Sequence, residues 1–239
     1  MSWLPDFLVA AAAAILAITL HEAAHGYAAL ALGDDTAKQA GRLSLNPLRH
    51  VDPVGTVLVP AVLLVSQLVT IGRVEGMFGW AKPVPVAAWR LRDPRRGMML
   101  VAAAGPAMNF GLALLAGFLA HPVGWLDGLL PTESLGWADR FLAYSILSNL
   151  VLGLFNLLPI PPLDGGRILA GLLPAPLALP FMRLERVGIL LVIALVVLLP
   201  RLAEGLDPVG WALRAVVTPA FRLVLMLTGN AGDGAGGGE

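Results

Sequence analysis

The chain has no cysteine and little charge, and those two shortages exclude many functions open to a protein of 239 residues. Without a thiol there is no disulfide and no thiolate metal site, so any bound metal must be held by His, Asp or Glu. Charged residues make up 13% of the sequence against 57% hydrophobic, with a mean hydropathy of +0.79, whereas a soluble domain carries about 25% charged residues. This is the balance of a membrane protein. The 16 basic and 16 acidic residues cancel, which leaves no concentrated positive surface for nucleic acid.

Apolar runs near 7–32, 98–120 and 139–158 are long enough to cross a hydrocarbon core, which takes roughly 20 residues; a shorter run lies near 187–200. The opening MSWLPDFLVAAAAAILAITL lacks the basic start of a signal peptide and reads as a retained span. Gly33 with Asp34 and Asp35 supplies the stop of the first helix. SLNPLRHVDPVGT reads as a loop leading into the apolar run at 54–71, and GMFGWAKPVPV at 76–86 reads as an extended hairpin or loop. Pro159, Pro161 and Pro162 end the helix at 139–158, which leaves Asp164 on a non-helical turn directly after a span. Helices are expected over 180–228, and the Gly-rich tail 229–239 reads as disordered. The expectation is an all-α polytopic membrane protein, one transmembrane domain over 1–228 with its core at 7–170, in bilayer contact throughout.

Within the first helix stands HEAAH. Residues four apart share a helix face, so His21 and His25 can direct both imidazoles at one ion, and Glu22 projects beside it, placed to take a proton from a bound water. A structural hydrogen-bond cluster is the alternative. One ionisable residue at mid-helix costs roughly 2.5–3.5 kcal/mol on insertion scales, so three together demand compensation. A catalytic zinc site takes three protein ligands and keeps one position open. Asp164 is the leading candidate for the third ligand; its other reading is an N-cap for a helix starting at GRILAGLL.

HEAAHG, AGPAMN and NLLPIPPLDGGR, in this order and within apolar helices, resemble the site-2 protease family of intramembrane zinc metalloproteases. NPLRHVDPVGT and FGWAKPVPV resemble its compact bacterial and archaeal branch, and the resemblance covers about residues 15–170. It implies one zinc held by His21, His25 and Asp164, Glu22 as catalytic base, and Asn156 holding the substrate or the developing oxyanion. A polar contact between helices is the other reading of Asn156. The resemblance further implies a transmembrane protein as substrate. Two departures stand out: no PDZ or CBS module is evident, and the HEAAH helix is the first span.

A shared zinc constrains topology. The C-terminal ends of the first and third long helices must face one side, so the helix at 98–120 runs the opposite way and residues 54–71 cannot be one complete crossing. A re-entrant or hairpin element is expected between the first and second core helices. Lys38, Arg42, Arg49, Arg73, Lys82, Arg90, Arg92, Arg95, Arg96, Arg167, Arg183 and Arg186 then share that side, which marks it as cytoplasmic in a prokaryotic plasma membrane. WRLRDPRRG is read as part of this signal. His50 is expected to fix its loop, His121 to face the other side, Asn109 to pack near the site helices with a contribution to the site as its second reading, and Trp80 and Trp89 to anchor at the interface. Arg214 and Arg222, about 80° apart on the last helix, leave it interfacial or spanning. Two rival functions are a membrane metal transporter, which would need no Glu22 and would show a continuous polar path, and a scaffold that binds membrane proteins without cutting them.

Overall fold

The computed structural model describes residues 3–70, 72, 81–194 and 207–231. Among them there is no strand. The helices are α1 (Trp3–Ala31), α2 (Thr36–Gln39), α3 (Pro53–Thr70), α4 (Pro94–Gly124), α5 (Thr132–Asn156), α6 (Asp164–Leu172), α7 (Ala175–Met182), α8 (Glu185–Ile193) and α9 (Pro208–Leu227). Of these α1, α3, α4, α5 and α9 are long and apolar enough to cross a membrane. The tail beyond 231 and the expected hairpin residues 76–80, Trp80 included, lie outside the described residues.

Local chemistry sets the ends. Asp93 caps α4 by accepting from the backbone N–H groups of Arg95 and Arg96, with Pro94 at the first helical position. At the end of α1, Gly33 has φ +107° and donates to Leu30, while Asp34 donates to Ala29. This is a Schellman stop, which needs a residue free of the left-handed penalty. Helix α5 ends at Asn156, ahead of the prolines, but Asp164 is not on a loop as the sequence suggested: it is the first residue of α6. Leu163, not Asp164, takes the N-cap position, and it makes no side-chain capping bond.

The core is α1, α4 and α5, with α6 seated against α4. Its inner faces are small: Ala13, Ala17, Ala23 and Ala29 on α1, and Gly97, Ala102, Gly105, Ala113 and Ala116 on α4. Large apolar side chains such as Leu8, Ile15, Leu16, Leu115 and Phe118 point outward. That arrangement suits lipid, where backbones approach through small residues and the bulky ones face hydrocarbon. Helix α9 closes the other end, Val217 and Val224 packing with Ala113, Ala116, Leu142 and Ile146.

Cross-helix bonds fix directions. Ala17 and His25 on α1 meet Asn109 and Val101 on α4, so these two run antiparallel; Asp6 pairs with Arg140 at 3.0 Å, so α1 and α5 start at the same end. The C-terminal ends of α1 and α5 therefore face one side, as a shared ligand set requires. At that side Arg92 donates to Leu32 and Lys82 to His50 (2.9 Å). His50 and Lys82, which flank α3 in the chain, are thus joined at that same end. Helix α3 stands almost wholly exposed, with Val62, Val65 and Val69 uncovered.

A polar knot fastens this end. The fully buried carboxylate of Asp34 accepts from the Thr36 N–H and hydroxyl and from the Ala87 N–H (2.6 Å). Buried Arg42 donates to the carbonyls of Arg49 and Lys82, and His50 bonds the Ser44 carbonyl, fixing its loop as expected. Burial alone would raise the Asp34 pKa, but the bonds from Thr36 and Ala87 and the charge of Arg90 hold it below the ordinary 3.8. A depressed folded pKa contributes stability that is complete above the unfolded value and lost as pH falls through the folded one. Asp34→Ala should cost about 1–3 kcal/mol at neutral pH by orphaning those donors. Below about pH 4 the wild type should lose melting temperature in detergent faster than Asp34→Asn, and equal slopes would refute this account.

Candidate metal centre

His21 and His25 sit one turn apart on the buried face of α1, their rings at 4.6 Å and nearly perpendicular. Their Nε2 atoms are 3.0 Å apart. Asp164 arrives from the start of α6 with Oδ2 at 3.2 Å from His21 Nε2 and 3.3 Å from His25 Nε2. It can come this close because Gly165 and Gly166 lie against the backbone of 157–161; a Cβ on Gly165 would overlap the Leu157 carbonyl. Gly105 on α4 makes the room opposite, where a Cβ would lie 2.5 Å from His21 Cε1 and from His25 Nε2.

The hydrogen-bond network assigns the protons. Asn149 Nδ2 lies 2.8 Å from the Ser145 carbonyl, which can only accept, so the other atom of that amide is the oxygen. That oxygen accepts from Asn109 Nδ2 at 2.8 Å. Asn109 Oδ1 must then accept from His21 Nδ1 at 2.6 Å. His25 Nδ1 likewise donates to the Val101 carbonyl at 2.7 Å. Both imidazoles, when neutral, carry their proton on Nδ1 and turn a bare lone pair inward.

The inward face therefore holds two imidazole lone pairs and a carboxylate oxygen. Oδ2 of Asp164 is buried and without a hydrogen-bond donor. Three acceptor atoms converging in a buried apolar site repel one another unless a cation lies among them. Two neutral imidazoles, each with its Nδ1 held from behind, and one carboxylate form a donor set that fits zinc and leaves its fourth position open.

Glu22 is half-buried and turns toward segment 81–87, where its Oε2 accepts from the Val84 N–H at 2.9 Å. Pro83 and Pro85 flank that donor, so Val84 supplies the single N–H between residues 83 and 85. Asn156, at the last residue of α5, donates to the Leu152 carbonyl at 3.0 Å; no hydrogen bond joins it to the His–Asp cluster. His50 and His121 are elsewhere, His121 bonding the Thr228 carbonyl at the far end. Asn149 and the Val101 carbonyl were missed by sequence reasoning. The available signal was the cost of burying two asparagines in apolar spans, which asks for a polar partner for each.

Gly105→Val should wedge a side chain between the imidazoles, at about 1–3 kcal/mol of overpacking. The expected result is a folded protein with most of its metal uptake lost, read as metal per chain after purification.

A family model for peptidase family M50 matches residues 116–199. The Bacillus subtilis protein named "Putative zinc metalloprotease YwhC" is 40% identical over 215 residues, covering 86% of this chain and 90% of its own. Rip2 of Mycobacterium tuberculosis, named with the same zinc metalloprotease designation, is 35% identical over 160 residues, or 66% of this chain and 55% of its own. Rip2 of Mycolicibacterium smegmatis is 30% identical over 169 residues, or 69% of this chain and 57% of its own. No solved structure matches the chain.

Proposed function

Because the chain belongs to peptidase family M50 and is a multi-pass intramembrane zinc metalloprotease, we propose that His21, His25 and Asp164 hold its zinc and that Glu22 is its general base. The supporting observation is the inward convergence of three acceptor atoms with Oδ2 of Asp164 lacking any donor. When bound, zinc polarises a peptide carbonyl and lowers the pKa of water to about 7.

The chain's own residues do the rest. Glu22 takes a proton from the attacking water and returns it to the leaving amine, while the Val84 N–H holds one carboxylate oxygen and leaves the other free. Asn156, at the mouth of α5, holds the substrate backbone or the developing oxyanion once its amide leaves the Leu152 carbonyl. The substrate is a transmembrane segment of another protein, unwound locally because a helix shields its own peptide bonds. Segment 81–86 offers an edge for that unwound strand, and its prolines limit the pairing to a few bonds. Helix α3, exposed and flanked by His50 and Lys82 at the site's end, is read as a re-entrant element beside the path of the substrate. Neither a transporter nor a silent scaffold has use for Glu22 beside the first ligand.

The basic residues cluster at the C-terminal end of α1, with Lys38, Arg42, Arg49, Lys82, Arg90 and Arg92 in the knot or beside it. We place that end in the cytoplasm of a prokaryotic cell.

The metal content of detergent-purified protein tests the ligand set: about one zinc per chain, lost in both His21→Ala and Asp164→Ala. Zinc retained in Asp164→Ala would sink it. Glu22→Gln should keep its zinc and lose about 10²–10⁴ of the cleavage rate on a co-reconstituted single-span substrate. Since the chain has no cysteine, one introduced thiol reports sidedness. Leu129→Cys, at an exposed position, should react with an impermeant maleimide on intact cells, and Leu48→Cys only after lysis; the reverse pattern inverts the orientation.

A further inference from the structure

We propose that Asn109 and Asn149 are positioning residues that fix the tautomer and aim of His21, and so couple α5 to the metal-binding face of α1. The inference rests on His21 being a zinc ligand.

The two histidines are oriented from behind by different means. His25 Nδ1 donates to the Val101 main chain, an acceptor that no side-chain substitution removes. His21 Nδ1 donates to a side chain, Asn109 Oδ1, at 2.6 Å. Asn109 has no solvent exposure at all, and it is held on both sides: its Nδ2 donates to Asn149 Oδ1 at 2.8 Å and reaches the Ala17 carbonyl at 3.4 Å. Asn149 is anchored in turn to the Ser145 carbonyl of its own helix. The direction of every bond in this run follows from one backbone acceptor on α5. An amide can flip by exchanging its oxygen and nitrogen, but a flipped Asn109 would set a donor against the Nδ1–H of His21 and an oxygen against two acceptors. The relay forbids the flip, and with it the tautomer that would put a proton on Nε2 and close His21 to a cation.

The relay runs α5 to α4 to α1, joining the three core helices at one depth. It also explains why Gly153 lies where it does: a Cβ there would stand 3.3 Å from Asn109 Cβ, tighter than ordinary packing, so α5 comes in close enough for Asn149 to reach.

Two readouts test this without any substrate. Zinc affinity is measured by competition against a chelator, and the proton position on His21 by nitrogen-15 NMR of histidine-labelled protein as purified. Asn109→Leu should weaken zinc binding about 10- to 100-fold and lose the Nδ1–H signal of His21, with that of His25 kept. Asn109→Asp, which retains the acceptor facing His21, should restore the Nδ1–H signal of His21, while its second oxygen faces Asn149 Oδ1 and the Ala17 carbonyl and lowers the melting temperature. Wild-type zinc affinity or an unchanged His21 tautomer in Asn109→Leu overturns the proposal. Should Asn109→Leu fail to fold, Asn149→Leu is read in the same way: a mixed His21 tautomer with weaker zinc binding upholds the relay, and wild-type behaviour overturns it. A wild type that takes up no zinc would refute the ligand set itself and leave the relay to be decided by the tautomer measurement.

Discussion

Two imidazole nitrogens and one carboxylate oxygen, held within 3.3 Å of one another inside an apolar bundle, form the constraint on which the rest of this structure depends. Left alone, such a cluster is costly, because each atom has been taken from water and aimed at its own kind. The fold accepts the cost by fixing each of the three side chains from outside the cluster. Val101 holds one histidine, Asn109 the other, and the backbone of 157–161 presses Asp164 inward through two glycines. The small residues along α1 and α4 follow from the same demand, since larger ones would push these helices beyond hydrogen-bond reach.

The end of the bundle nearest the site is built in the opposite way, from polar groups rather than small apolar ones. Asp34, Arg42 and His50 satisfy loop backbone that has no helix or strand to satisfy it. Their combined effect is to lay segment 81–87 across the turn that follows HEAAH. The Val84 N–H thereby reaches Glu22, whose carboxylate is oriented by a loop rather than by its own helix. Anything that displaces this short segment also breaks the Val84–Glu22 bond.

Much of this was legible in the residues. The three core helices, the stop at Gly33 and the pairing of His21 with His25 follow from helical period, glycine placement and the cost of ionisable groups in lipid. Asp164, by contrast, was a candidate beside an N-cap reading until the family resemblance implied its place in the set. Parity of crossings did as much for topology, since a shared ligand set forces α1 and α5 to end together. The loop assigned to Asp164 was wrong by one element, because prolines mark where a helix must stop and say nothing of how soon the next begins. Asn156 was taken from a motif, and its amide rests on its own helix here.

The sequence by itself determined which atoms could bind a metal and that they lie in a membrane, because both are decided by residue type and by spacing along one helix. Only the tertiary structure decided how those atoms are aimed. Asn149, Asn109 and His21 stand on three different helices, and Val84 lies 62 residues from Glu22. No local period relates such positions; the close packing of backbones brings them together, and that packing is a property of the whole bundle.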